Sequence, residues 1–92
     1  MSDICAHLTI RGVVQGVGFR YHATRWAAKL GLYGWVRNNW DDSVEIEIEG
    51  DRSAVEEYIA QMKVGPRSAH VTAVDVEYKP YEGKYRNFDI TR

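Results

Sequence analysis

Two hydrophobic periods take turns along this chain, and their order leaves few folds open. From Cys5 to Val13, the apolar Ala6, Leu8 and Ile10 alternate with His7, Thr9 and Arg11. That is the two-residue period of a strand with one buried and one open face. After a glycine-bearing turn, Ala23, Trp26, Ala27 and Leu30 recur at helical spacing and Gly31 follows as a stop, which predicts a helix from Phe19 to Leu30. Tyr33 to Asn39 reads as a second strand. Val44, Ile46 and Ile48 alternating with Glu45, Glu47 and Glu49 read as a third, with a hairpin between the two. Asp51 is placed to cap a second helix, Ser53 and Glu56 have capping-box spacing, and Val55, Ile59 and Met62 form its apolar stripe as far as Gly65-Pro66. A fourth strand covers Val71 to Tyr78 with a phase change near Ala73 and Val74, as a bulge would cause. Phe88 and Ile90 suggest a short edge strand.

The order strand, helix, strand, strand, helix, strand is that of an α+β, ferredoxin-like split βαβ sandwich (βαββαβ), with one antiparallel sheet and both helices on one face. The 92 residues suit a single domain, 1–92. In this topology the first two strands are parallel with the third between them, so their C-terminal ends share one edge of the sheet. The glycine turn after strand one then lies near Asn38. Side-chain parity turns Asn38 to the same face as Val36, toward the helices, and Asn39 to the open face.

The turn itself, Gly12-Val13-Val14-Gln15-Gly16-Val17-Gly18-Phe19-Arg20, joins a strand to a helix N-terminus. Gly16 and Gly18 can take positive φ, which lets successive N–H groups point inward as a nest for an anion. The free N–H groups of the helix point the same way. Glycines also serve an ordinary tight turn. Arg20, however, has the wrong sign for a helix N-terminus, and a bound anion would reverse that mismatch. The formal net charge of −1 provides no global field for polyanions, so any phosphate binding is local.

Cys5 is the only cysteine, which excludes an internal disulfide and argues against a cysteine-based metal site. It reads as a passive strand residue. His7, His22 and His70 are scattered and show no ligand spacing, and Asp41 and Asp42 read as solvated turn residues, so no metal is expected. His22, in the first turn of helix one, is near enough to touch the anion site. The stretch from Met1 to His7 lacks a basic or apolar leader, and no run approaches the ~18 apolar residues of a spanning helix. The expected setting is the cytoplasm, without a membrane partner.

These residues resemble the acylphosphatase family along essentially the whole chain. One signature is carried by Ile10 and Gly12 followed by Val14-Gln15-Gly16-Val17-Gly18-Phe19-Arg20. A second is carried by Gly34-Trp35-Val36-Arg37-Asn38, then Val44 and Gly50. Asp42 stands where the family usually shows a hairpin glycine, and Asp tolerates left-handed backbone better than most residues. The resemblance implies cofactor-free, metal-independent hydrolysis of the carboxyl-phosphate anhydride of a small acyl phosphate, giving a carboxylate and inorganic phosphate. It also implies that Arg20, with the backbone N–H groups of Gln15, Gly16, Val17, Gly18, Phe19 and Arg20, grips the phosphoryl group while Asn38 holds the attacking water. Phosphoryl transfer spreads charge over the equatorial oxygens, so positioning and fixed dipoles do most of the work. An amide suits the water, because its carbonyl accepts while its NH₂ donates elsewhere.

Three other readings bear on the same residues. An RNA-binding sandwich needs stacking aromatics on the open face, whereas strand three offers Glu45, Glu47 and Glu49. These glutamates look matched to Arg11 and Arg37 as cross-strand partners on a solvated sheet, and no nucleic acid is expected as a partner. A carbamoyl-phosphate-handling domain at the start of larger hydrogenase-maturation proteins shares the motifs, but a 92-residue chain fits a stand-alone enzyme better. A small binding protein could keep the cradle without turnover. The expected state is a monomer.

Overall fold

The computed structural model describes residues 2–92; Met1, with which the expected 1–92 domain begins, lies outside the described residues. The chain forms β1 (Asp3–Val13), α1 (Phe19–Leu30), β2 (Tyr33–Asn38), β3 (Val44–Asp51), α2 (Arg52–Val64), β4 (His70–Pro80) and β5 (Phe88–Ile90). The alternating apolar residues set the register. Ala6 lies opposite Ile48, Leu8 opposite Ile46 and Ile10 opposite Val44 in the antiparallel β1–β3 pair, and Val36 lies opposite Ile46 in β2–β3. All are fully buried, and Phe19, Ala23 and Ala27 from α1 with Val55, Tyr58 and Met62 from α2 close over them. Gly31, in left-handed backbone, ends α1. Asp51 caps α2 by accepting from the Ala54 N–H at 3.3 Å, while Ser53 sits inside the helix and plays no part in the cap.

The strand order is β4-β1-β3-β2-β5. Strands β1 and β2 run parallel on either side of β3, so the turn after β1 and the end of β2 emerge on one edge. Arg11 lies opposite Ala73 and Gly12 opposite Val71, leaving Thr72 as the extra residue of the expected bulge. Gly12 is required there, since its φ is 126° and an added Cβ would lie 2.1 Å from the His70 carbonyl oxygen.

The expected all-antiparallel sheet needs one correction. Four strands are antiparallel, but β5 runs parallel to β2, making the five-stranded sheet mixed. The connection explains it. Strand β4 finishes at the end opposite the β1 turn, and segment 81–87 carries the chain across to the far edge, so β5 must return in the direction of β2.

That crossing also revises the expected open face. The helices occupy one side of the sheet, so segment 81–87 passes over the other. The Tyr85 hydroxyl donates to Glu47 at 2.6 Å, and the Tyr85 N–H donates to Glu49 at 3.2 Å. Lys79 and His7 also reach Glu47, at 3.2 and 3.1 Å. Glu47 and Glu49 are therefore buried rather than solvated. Burial pushes the Glu47 carboxyl up, but the hydrogen bonds from Tyr85, His7 and Lys79 outweigh it and bring the group down to about 2. Arg37 pairs with Glu45 at 2.7 Å as expected, whereas Arg11 turns to Asp41 at 3.1 Å and Asp75 at 3.9 Å. Cys5 is buried on the same side of the sheet, beside Glu47 and Glu49. Burial, with Glu47 and Glu49 nearby, raises its thiol to about 11, which makes it a poor nucleophile. Among the described residues, no helix is long and apolar enough to cross a membrane.

Candidate active site

The turn between β1 and α1 is built by two left-handed glycines, Gly16 at φ 73° and Gly18 at φ 80°. A Cβ on either would meet nothing within 4 Å. The backbone conformation, and not crowding, is what selects glycine, at about 1–2 kcal/mol for a residue with a side chain. Gly18 is also the N-cap of α1, where it supplies no side-chain oxygen, and no acidic residue sits in the first turn. A serine or aspartate cap would satisfy the first N–H groups from within. Here the first intrahelical bond is His22 N–H to the Gly18 carbonyl at 3.1 Å, which leaves the N–H groups of Phe19, Arg20 and Tyr21 without helical partners. Among the described residues, no N–H from Gln15 to Gly18 donates to a backbone carbonyl either. Arg20 is exposed beside them and forms no ion pair among the described residues.

Asn38 at the end of β2 and Ile90 of β5 supply the other wall, and the β2–β3 hairpin braces the turn. Asn39 N–H donates to the Ser43 carbonyl at 2.9 Å, Asp42 N–H donates to the Asn39 carbonyl at 3.3 Å, and Asp42 takes the left-handed backbone expected of it, at φ 71°. Asp41 accepts from the Ser43 hydroxyl and N–H; these bonds, with Arg11, hold its carboxyl down to about 2. The Gln15 side chain binds the turn to this hairpin by donating to the Asn39 carbonyl at 2.8 Å and the Ser43 carbonyl at 2.9 Å.

Between the two walls lies a cavity of about 270 Å³, lined by Val14, Gly16, Gly18, Phe19, Arg20, Tyr21, Asn38 and Ile90. Asn38 reaches it from the last position of β2, on the helix side as parity predicts. Its Oδ1 is buried and has no hydrogen-bond partner among the described residues. An orphaned buried acceptor costs about 1–3 kcal/mol, a cost that any donor reaching it would offset. Asn39 faces the other way, its amide donating to Ser43 Oγ at 3.0 Å.

Of the residues singled out in the sequence, Gly16, Gly18, Phe19, Arg20 and Asn38 meet at this cavity. Gln15 and Val17 do not line it: the Gln15 side chain turns to the hairpin, and Val17 faces the neighbouring groove. His22 lies outside the cavity as well, donating from Nε2 to the Gln61 carbonyl at 3.1 Å. The walls contributed by Tyr21 and Ile90 were not anticipated. Tyr21 follows Arg20 directly, a signal that could have been used, whereas Ile90 reaches the cavity only because β5 crosses to the β2 edge. Among the described residues, no three His, Cys, Asp or Glu side chains gather as metal ligands.

The family model for acylphosphatase matches residues 6–90. The chain belongs to the acylphosphatase family. An acylphosphatase of Thermococcus kodakarensis is 51% identical over 83 residues, covering 90% of this chain and 91% of that protein. The crystal structure of acylphosphatase from Bacillus subtilis superposes with a TM-score of 0.94 at 34% identity, covering 97% of this chain and 99% of that one. An acylphosphatase from Coxiella burnetii superposes with a TM-score of 0.92 at 33% identity, covering 98% and 94%. This acylphosphatase is accordingly an enzyme that hydrolyses acyl phosphates. The sandwich architecture expected from the order of elements is shared with these structures.

Proposed function

We propose that the phosphoryl group of the acyl phosphate is held by Arg20 and by the backbone N–H groups from Gln15 to Arg20, and that Asn38 holds the attacking water. The observation that carries this reading is the convergence at one cavity of Arg20, the free N–H groups of the turn and Asn38, whose buried Oδ1 lacks a partner among the described residues. A water donating to that oxygen is held against a phosphorus gripped from the opposite wall. Attack forms the new P–O bond as the bond to the carboxylate oxygen breaks. The water's proton passes to a phosphate oxygen, and the products are a carboxylate and inorganic phosphate. The cradle's dipoles and the guanidinium take up the charge on the equatorial oxygens. A carboxylate is a good leaving group, so in this reading neither a metal nor a strong base is required.

The same reading places a monomer in the cytoplasm. The single buried thiol supports the setting, and the absence of a nucleic-acid partner is supported by Tyr85, which covers Glu47 and Glu49 on the second sheet face and puts carboxylates where an RNA reader needs a stacking platform.

Steady-state hydrolysis of benzoyl phosphate, with inorganic phosphate as competitor and a phosphate monoester as control, tests the roles. Arg20→Ala should lower kcat/KM at least about tenfold to a hundredfold and weaken phosphate inhibition, since a charge-assisted contact is worth ~1.5–3 kcal/mol. Asn38→Ala should lower kcat and kcat/KM together and leave phosphate inhibition nearly unchanged. Asn39→Ala should be nearly silent. An Arg20→Ala enzyme at wild-type rate, or an Asn39→Ala loss exceeding that of Asn38→Ala, would overturn the assignment.

A further inference from the structure

Next to the cradle is a second groove of about 530 Å³, whose lining includes Gly18, Tyr21, His22, Arg25, Arg67 and Ser68. Gly18 and Tyr21 line both spaces, so the two adjoin. Tyr21 and Arg25 are one turn apart on the same face of α1 and lead from one to the other. Arg67 comes from the connection between α2 and β4. Gly65 turns that connection back at φ 74°, so close to α1 that an added Cβ would lie 3.2 Å from the Phe19 ring and 3.1 Å from Val71. The bond from His22 Nε2–H to the Gln61 carbonyl fixes α1 against the last turn of α2. The groove is thus a built feature of the fold.

Its charge is one-sided. No Asp or Glu lines it, and neither Arg25 nor Arg67 forms an ion pair among the described residues, although Arg11 and Arg37 do. Two guanidinium groups without ion-pair partners, sharing one groove that no carboxylate lines, make its potential locally positive in a chain whose carboxylates outnumber its lysines and arginines.

We propose that this groove takes a second anionic group carried on the acyl portion of the substrate, a carboxylate or a further phosphate, and so favours acyl phosphates with a charged tail over those with a neutral one. The inference rests on the phosphoryl group occupying the cradle, because an acyl chain extending from there past Gly18 and Tyr21 enters the groove that these two residues also line. The guanidinium fork of each arginine suits a carboxylate or phosphate held in two-point contact.

The test compares glutaryl phosphate with valeryl phosphate, which share a chain length and differ in a terminal carboxylate. The readout is the ratio of their kcat/KM values. Exposed ion pairs contribute modestly, so two of them should give a wild-type ratio of about fivefold or more in favour of glutaryl phosphate at low salt, shrinking as salt rises. Arg25→Gln with Arg67→Gln should bring the ratio to about one, with each single change intermediate. Both side chains are exposed, so the variants should melt with the wild type. A wild-type ratio near one, or a ratio that survives the double substitution, would overturn the proposal. Failure of the cradle reading looks different: Arg20→Ala would hydrolyse valeryl phosphate at the wild-type rate whatever the ratio.

Discussion

Replacing Gln15 with alanine separates holding the cradle from forming it. The Gln15 amide makes two hydrogen bonds, at 2.8 and 2.9 Å, to the carbonyls of Asn39 and Ser43. Each neutral bond contributes about 0.5–1.5 kcal/mol net. Both carbonyls keep a backbone donor after the change, Asp42 N–H on Asn39 and Asn39 N–H on Ser43, so neither is orphaned. The expected loss of stability is therefore about 2 kcal/mol, or roughly 10 °C in Tm for a domain of this size. The catalytic consequence should be larger than the structural one. Gln15 ties the turn proposed to grip the phosphoryl group to the hairpin that follows Asn38, and a misplacement of about 1 Å between reacting groups costs up to ~100-fold. Loosening that tie should lower kcat about ten- to a hundredfold while inorganic phosphate, which needs the cradle alone, still inhibits at nearly the wild-type concentration. Gln15→Glu, similar in size but without a donor at neutral pH, should behave no better. The assays are benzoyl phosphate kinetics, phosphate inhibition and a thermal melt on the same preparations. A variant that melts earlier as calculated yet keeps kcat within about twofold would refute the coupling argument.

Two further outcomes concern stability. Glu47 is ordinarily near 4.5 and is held at about 2 in the fold, so its contribution is fully present above pH 4.5 and is lost as the pH falls from there toward 2. Chemical denaturation across that window should show a steeper decline for the wild type than for Glu47→Gln, and parallel curves would contradict it. Asp42, the one non-glycine residue at positive φ among the described residues, should give about 0.5–1 kcal/mol of stability when changed to glycine, as relief of backbone strain offsets the greater freedom of the unfolded chain. A Tm unchanged or lowered in Asp42→Gly would show that the hairpin holds the aspartate without strain.

Much of this architecture is local in origin and therefore readable from the chain. The period change at Phe19 and the stop at Gly31 locate α1 at its observed ends, and the two-residue pleat alone distinguishes Asn38 from Asn39. The crossing segment is another matter. Nothing within 81–87 says which face of the sheet it will cover; that follows from the helices having taken the other face. The burial of Glu47 and Glu49, the parallel β5 and the arrival of Ile90 in the cavity all descend from that choice. Arg11 meets Asp41 and Asp75 instead of a β3 glutamate because β1 pairs with β3 only as far as Ile10, while Asp75, opposite Thr9 in β4, is its diagonal neighbour and the hairpin brings Asp41 to the end of β1. The Gln15 bonds are invisible for a similar reason, since they span 24 and 28 positions and depend on two turns meeting.

The bulge opposite Gly12 has a consequence for how molecules of this enzyme meet one another. Strand β4 is an eleven-residue edge with one side unpaired, long enough to template a strand from a second molecule. The extra residue at Thr72 increases the local twist and breaks the ladder near one end, and Pro80 removes a donor at the other. Between them, Asp75, Glu77 and Lys79 put charges along the edge. A flat approaching strand would find neither a continuous ladder nor an uncharged flank, so the longest exposed edge of the sheet is poorly suited to seeding aggregation.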